Sequence, residues 1–347
     1  MIRPIISAMI ASLVLSTSGL ALAKGESETS ALPRWSQAAS SGLARQEIYP
    51  VEFDGKIYIA GGLQTPAPGF TAYFEAFDPK LNRWNKLAPL PEARHHIALA
   101  ETGGLIYAVG GFSGAYPDWR MHSSVFIYNP HRDQWSAGPS MPNPHAEGVV
   151  EAVEGKIYSL GGRRAIQPDA KNFRDYEDTA QSDVLDPSTK QWHRIEDAPS
   201  ARNSAGGAVI DGKIYVVGGR KVIRQANGEL TQVNVATLEI YDPATNTWAT
   251  KAPMPQTQGA PAAATYSGKL YVFGGEQWAP EKKAFAEGWV YDPAKDAWSA
   301  LPALPTPRHG LGAGVVGNRI YFIDGATQPG ANEPSNLNEA LELQPTP

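Results

Sequence analysis

The chain of 347 residues contains no cysteine, so disulfides, thiolate metal sites and a cysteine nucleophile are all excluded. No cysteine is present to carry a lipid anchor either. A basic surplus is also missing: 30 Lys and Arg face 35 Asp and Glu, a net charge of −5. Setting aside Arg3 of the leader makes this −6, and a nucleic-acid partner would need a basic face instead. Long apolar runs are scarce. The one candidate, Ile5 to Leu20, is diluted by Ser7, Ser12, Ser16, Thr17 and Ser18 and is short for a membrane span. No H-E-x-x-H motif, serine-nucleophile motif or phosphate-cradling glycine loop occurs, so no metal and no cofactor is expected. What the chain does have is 34 Gly and 29 Pro scattered throughout, which reads as many short strands and turns.

The N-terminus has the three parts of a secretory signal: the positive start Met1-Ile2-Arg3, the apolar stretch, and the small-residue site Ala21-Leu22-Ala23. The expected organisation is a signal peptide over 1–23, a short linker over 24–31 and one folded unit over 32–347. Export combined with the absence of cysteine points to a bacterial periplasmic or secreted protein. It is expected to be a monomer with no membrane span after cleavage.

The folded unit is a repeat. A Gly/Asn-x-x-Tyr-x-x-Gly/Asp-Gly phrase recurs at Tyr58, Tyr107, Tyr158, Tyr215, Tyr271 and Tyr321. Glycine pairs follow the first five, and Asp324-Gly325 follows the last. An Asp/Asn-Pro pair then comes at Asp78, Asn129, Asp186, Asp242 and Asp292, with a tryptophan six positions on: Trp84, Trp135, Trp192, Trp248 and Trp298. The sixth copy lacks its tryptophan, but Trp35 lies 49 residues before Trp84, the step from Gly61 to Gly110. The segment Leu32 to Gln37 is therefore expected to supply the outermost strand of the last copy, closing a ring without exposed sheet edges. In the second copy the strands are read as His95–Glu101, Leu105–Val109, Ser123–Tyr128 and Gln134–Ala137. Small residues such as Ala262-Ala263-Ala264 belong near the axis.

This combination resembles kelch repeats, with six of six copies spanning nearly the whole mature chain. The resemblance implies an all-β, six-bladed propeller closed by an N-terminal strand, similar to the central domain of galactose oxidase without its copper site. The copper oxidases of this kind need a tyrosine cross-linked to a cysteine, which this chain cannot form. The resemblance leaves function open, because kelch propellers serve both as protein-binding modules and as enzyme scaffolds.

Antiparallel blades place the connections between second and third strands, and those between blades, at one end of the ring. The former are longest over Gly162 to Asp186 and Gly219 to Asp242, so this face is the expected functional one. Thirteen residues before each repeat tyrosine stand Arg45, Arg94, His145, Arg202, Gln258 and Arg308. Read as a ring, they form a positive collar suited to an anionic ligand, with Arg163, Arg164, Arg220, Lys221 and Arg224 adding to it. The alternative is that these arginines bond carbonyls between blades, as the kelch consensus implies, with Glu47 and Glu147 neutralising part of the charge. Trp119 and Trp278 fall outside the repeat pattern and are candidates for ligand contact. The adjacent His95 and His96 are expected to face opposite sides of a strand, a poor metal pair. The Ser-x-Asp-x-Gly-x-Thr-Trp turn of sialidases is absent. A glycosidase would need paired carboxylates, for which Glu47, Asp118, Glu147 and Glu276 are available. The leading expectation is a binding protein for a glycan or protein ligand. The alternative is a mutarotase or epimerase acting on an acidic sugar such as N-acetylneuraminate, as in periplasmic kelch enzymes. That alternative needs an acid/base residue beside an arginine, which no motif in the sequence identifies.

Overall fold

The computed structural model describes Met1 and residues 33–64, 69–226 and 228–344. The signal-peptide and linker expectations rest on residues outside these. From Pro33 onward the described residues form six antiparallel sheets arranged as the blades of a propeller, five of them four-stranded and the third five-stranded, because the short strand His145–Ala146 joins it. No helix among the described residues is long and apolar enough to cross a membrane.

Blade 2 illustrates the unit: Ala98–Thr102, Leu105–Val109, Val125–Asn129 and Gln134–Ala137. Strands a to d run from the axis outward. Strand d carries the tryptophan, and Trp135 pairs across to Tyr128 with ring centroids 5.0 Å apart. Its indole N–H then reaches back to the preceding blade, donating to Ala88 O at 2.8 Å. Trp84, Trp192, Trp248 and Trp298 make the same bond to Ala39, Pro139, Glu196 and Ala252. A residue with a large apolar body and one donor is well suited to a gap that is greasy inside and lined by a backbone carbonyl outside.

Trp35 occupies the sixth such position. Its strand, Arg34–Gln37, pairs with Asn338–Glu342 of the last blade in the register Trp35 to Leu341. Its ring packs 5.5 Å from both Phe273 and Phe322, and Nε1 donates to Pro302 O. The ring is closed by the N-terminal strand, as the spacing predicts.

A second latch lies one layer inward and explains why the last glycine pair begins with an aspartate. Asp324 is fully buried and accepts from Arg45 Nε at 3.0 Å and from the Ser41 hydroxyl. Arg45 also binds Glu75 of blade 1, so one guanidinium joins the first and last blades through two carboxylates. Burial raises Asp324 to about 7, against the lowering effect of Arg45.

Losing Asp324 would leave Arg45 with one carboxylate in a dry site. Asp324→Ala should destabilise the protein by about 3 kcal/mol or more in chemical denaturation, in line with broken buried pairs. Because its folded-state value is raised, the stability this carboxyl contributes is fully present below the unfolded value near 4 and is lost as pH rises through about 7. The melting temperature of the wild type relative to Asp324→Asn should therefore fall between pH 5 and 8.

Candidate ligand-binding site

The site originates in one backbone feature repeated six times. Eleven residues before each repeat tyrosine the chain adopts left-handed geometry: Glu47 (φ 55°), His96 (52°), Glu147 (55°), Ser204 (50°), Ala260 (53°) and Gly310 (57°). A non-glycine residue pays about 1–2 kcal/mol for this. The compensation is a belt of backbone hydrogen bonds around the axis. Glu47 N donates to Gly310 O at 2.7 Å, His96 N to Glu47 O at 3.3 Å and Ser204 N to Glu147 O at 2.8 Å. Ala260 N to Ser204 O (2.9 Å) and Gly310 N to Ala260 O (3.2 Å) continue it. In blade 2 the turn also delays strand a, which starts at Ala98 rather than at His95.

The left-handed residue separates two positions that would share a face on a regular strand. Those of the belt face the axis, while those two residues earlier turn into their own blades. The expected collar is therefore corrected. Arg45, Arg94 and Arg308 are 0% exposed, and Arg202 and His145 are buried as well. Arg94 Nη1 donates to Gly110 O at 2.8 Å and Arg45 Nη1 to Gly61 O at 3.2 Å, each the first carbonyl of a glycine pair. His145 bonds Gly161 O, and Arg308 bonds Asp324 O, at the same position. Strand-c partners complete the set: Glu75 for Arg45, Asp183 for His145, Glu239 for Arg202, Glu339 for Arg308. Gln258 donates to Glu287 O. These side chains brace the blades and leave no positive ring at the mouth.

The mouth is built by other positions. The residue following each glycine pair bridges to the segment that leads into its own blade's strand a, as in Asn203 with Arg220, Gly259 with Glu276 and Ala146 with Arg163. From there the long connections rise as small hairpins rather than irregular loops. Blade 4 has Arg220–Arg224 with Leu230–Asn234, and blade 3 extends its own strands as Lys156–Ala165 and Tyr176–Asp186. Together they wall a cavity of about 740 Å³ whose lining includes Glu47, His96, Trp119, Glu147, Arg163 and Arg220, with Glu276 and Trp278 opposite. Trp119 and Trp278, both expected to contact ligand, thus stand on its walls.

The charges on the floor are paired. Arg163 Nε donates to Glu147 Oε2 at 2.8 Å, and Arg220 Nη1 to Glu276 Oε1 at 2.7 Å. Glu276 also accepts from Trp278 Nε1 and Gly330 N and lies 3.4 Å from His309. His96 Nε2 sits 3.2 Å from Glu47 Oε2 and 3.8 Å from Glu147 Oε1. Burial by itself would raise the Glu47 carboxyl. His96, with His309 and Arg220 behind it, holds it well below the usual range. Burial likewise works against the Arg220 guanidinium, and Glu276, Glu47 and Glu147 raise it instead.

His95 and His96 do not face opposite sides. The positive φ of His96 brings their Nδ1 atoms to 2.5 Å. Burial, with His96 beside it, pushes His95 far below its usual value, so His95 is neutral and one nitrogen of the pair donates to the other. Among the described residues no group of three His, Cys, Asp or Glu is arranged to hold a metal ion.

Beneath the floor, a narrower channel of about 320 Å³ continues along the axis between the inner strands. Nine residues before each repeat tyrosine the lining residues are Ala98, Val149, Gly206, Ala262 and Gly312, but blade 1 has Tyr49. Burial drives its hydroxyl well above the normal tyrosine value, and Glu47 and Glu147 add to the effect. Sequence reasoning passed over this residue, although one large side chain in a column of small ones is a legible signal.

A description of the KLHDC2/KLHL20/DRC7 Kelch-repeats domain matches residues 121–325, and the Kelch motif matches 50–91 and 93–142. Alpha-scruin of Limulus polyphemus is 32% identical over 170 residues, 49% of this chain and 17% of its own length. Kelch-like protein 35 of Homo sapiens is 28% identical over 149 residues, 43% and 22% of the two chains. The chain thus spans about a fifth of the length of these relatives. A solved structure titled "Structure of YjhT" superposes with a TM-score of 0.73 at 18% identity, covering 88% of this chain and 97% of the other. That likeness concerns the fold.

At ordinary strand positions alanine is more stabilising than glycine. At Glu47, His96 and Glu147 the order should reverse, with each Gly variant about 1 kcal/mol more stable than the matching Ala variant in urea unfolding. Equal or inverted stabilities would remove the left-handed belt from the account.

Proposed function

Because the chain belongs to the kelch-repeat family, whose propellers are typically protein-binding scaffolds, we propose that the hairpin face is its recognition surface and that the ligand is a glycan terminus held in the axial cavity. The observation that carries this reading is a set of four buried lining residues, each with a polar atom lacking a protein partner. They are Gln46 Oε1, Trp119 Nε1, Arg163 Nη1 and Arg220 Nε. Unpaired buried polar groups cost about 1–3 kcal/mol each, so such a set is retained where a ligand satisfies it. Three donors and one acceptor suit a ligand with clustered oxygens and at least one hydroxyl, and a sugar acid has both. A deep concave site with aromatic walls also favours a small oxygen-rich group over a flat protein surface.

A mutarotase or epimerase acting on an acidic sugar such as N-acetylneuraminate is the second reading. It is favoured by Glu147, a carboxylate 2.8 Å from Arg163 Nε and 3.8 Å from His96. Anomer exchange removes a proton from the anomeric hydroxyl while another group protonates the ring oxygen, after which the open form recloses. Glu147 and the His96–Glu47 pair offer two such groups on one floor.

A sugar-acid panel screened by thermal shift should contain at least one compound that raises the melting temperature, with acidic peptides having no effect. Trp119→Phe, which removes the indole donor together with one ring of the side chain, should weaken binding of that compound by about tenfold in calorimetry, roughly 1.4 kcal/mol. If Trp119→Phe and Arg163→Lys both bind it as the wild type does, the cavity is not the site. For the second reading, NMR exchange spectroscopy should show anomer exchange accelerated by the wild type and returned to the uncatalysed rate by Glu147→Gln. An unchanged rate with saturable binding leaves a binding protein.

A further inference from the structure

The wall formed by blades 2 and 3 carries more aromatic surface than one sugar needs, arranged as a ladder from floor to rim. Starting at His96, ring centroids step 5.4 Å to Trp119, 5.2 Å on to Phe173 and 5.7 Å on to Tyr116. Trp119 at the lower end is 8% exposed, whereas Tyr116 at the top is 65% exposed. None of the three aromatics above the floor belongs to the repeat, and Tyr116 is not required by the packing beneath it.

The ladder is held rigidly from both blades. Phe173 N donates to Pro117 O at 2.7 Å, and Trp119 N to the same carbonyl at 3.1 Å. The Tyr176 hydroxyl donates to Trp119 O and accepts from Met121 N. Arg163 covers Phe173 at 4.3 Å, which ties the ladder to the charged floor. Beside Tyr116, Asn172 donates to Asp118 at 3.3 Å, placing an amide and a carboxylate next to an exposed ring. Across the cavity stands Trp278, on the blade diametrically opposite blade 2.

We propose that this rim is a second subsite, and that the protein recognises a chain of at least two sugars rather than a single one. This rests on the glycan reading of the floor. A pyranose presents a C–H face that packs on an aromatic ring, with hydroxyls at its edge. Tyr116 with Phe173 supplies the ring surface, and Asp118 with Asn172 the edge partners. The arginine and carboxylate groups take up the inner part of the 740 Å³ cavity, and the ladder leads from there to open solvent. The chain direction follows: the recognised acidic residue sits at the floor and the rest of the glycan leaves over Tyr116.

The test is calorimetry on the full chain with two series of probes: galacturonate with its di- and trisaccharide, and N-acetylneuraminate with a sialylated trisaccharide. The expected result is that in at least one series the oligosaccharide binds tenfold or more tightly than the monosaccharide. Tyr116→Ala then brings its affinity down to that of the monosaccharide, while Trp119→Phe weakens both. Equal affinity for mono- and oligosaccharide, or an oligosaccharide advantage that survives Tyr116→Ala, overturns the outer subsite and leaves the floor reading standing. Failure of both series to bind overturns the floor reading and the subsite with it. Because Tyr116 is exposed and outside the core, its variant folds as the parent does, which a melting curve verifies.

Discussion

The six left-handed residues at the top of the inner strands determine what faces the axis. In each blade a single positive φ ends the alternation of the strand. It directs the residue two positions earlier into the blade, where Arg45, Arg94, His145, Arg202 and Arg308 bond carbonyls and carboxylates. At five of the six steps around the axis these residues also link backbone to backbone with the neighbouring blade. Left-handed geometry at Glu47, His96 and Glu147, where glycine would fit without strain, marks positions kept for their side chains.

Electrostatics at the floor follow from that geometry. Two guanidinium groups and three carboxylates meet in a small volume with two imidazoles, and each ion pair leaves one edge of an arginine unpaired. Such pairs contribute little net stability once desolvation is included. On the proposed reading, their value lies in holding donors oriented toward the ligand. Tyr49 replaces a small residue in the column lining the lower channel, and the hairpins wall the cavity above. Blade bracing, floor and walls thus come from neighbouring positions of one repeat.

The propeller was largely legible because its determinants are periodic. The tyrosines, glycine pairs and tryptophans recur at spacings that fix strand order, and Trp35 located the closing strand through its distance from Trp84. Strand starts were less legible, since nothing local in Arg94-His95-His96 signals a positive φ on a histidine. For the same reason the arginine ring was assigned to the mouth: positions two apart share a face only while the strand stays extended. Trp119 and Trp278 were found because they break the repeat. Glu147 and Arg163 both stand out in the sequence, but their contact joins residues 16 apart through the bridge between Ala146 and Arg163, and sequence does not reveal that bridge. The hairpins within the long connections are hard to read from sequence because Arg220–Arg224 and Leu230–Asn234 alternate polar and apolar residues only weakly.

A crystal structure of the protein soaked with the sugar acid giving the largest thermal shift tests the account most directly. The prediction is ligand density on the hairpin face, with oxygens within hydrogen-bonding distance of Arg163 Nη1, Arg220 Nε and Trp119 Nε1. Density confined to the lower channel, or lying against the outer surface of a blade with those three atoms still unpaired, would contradict it.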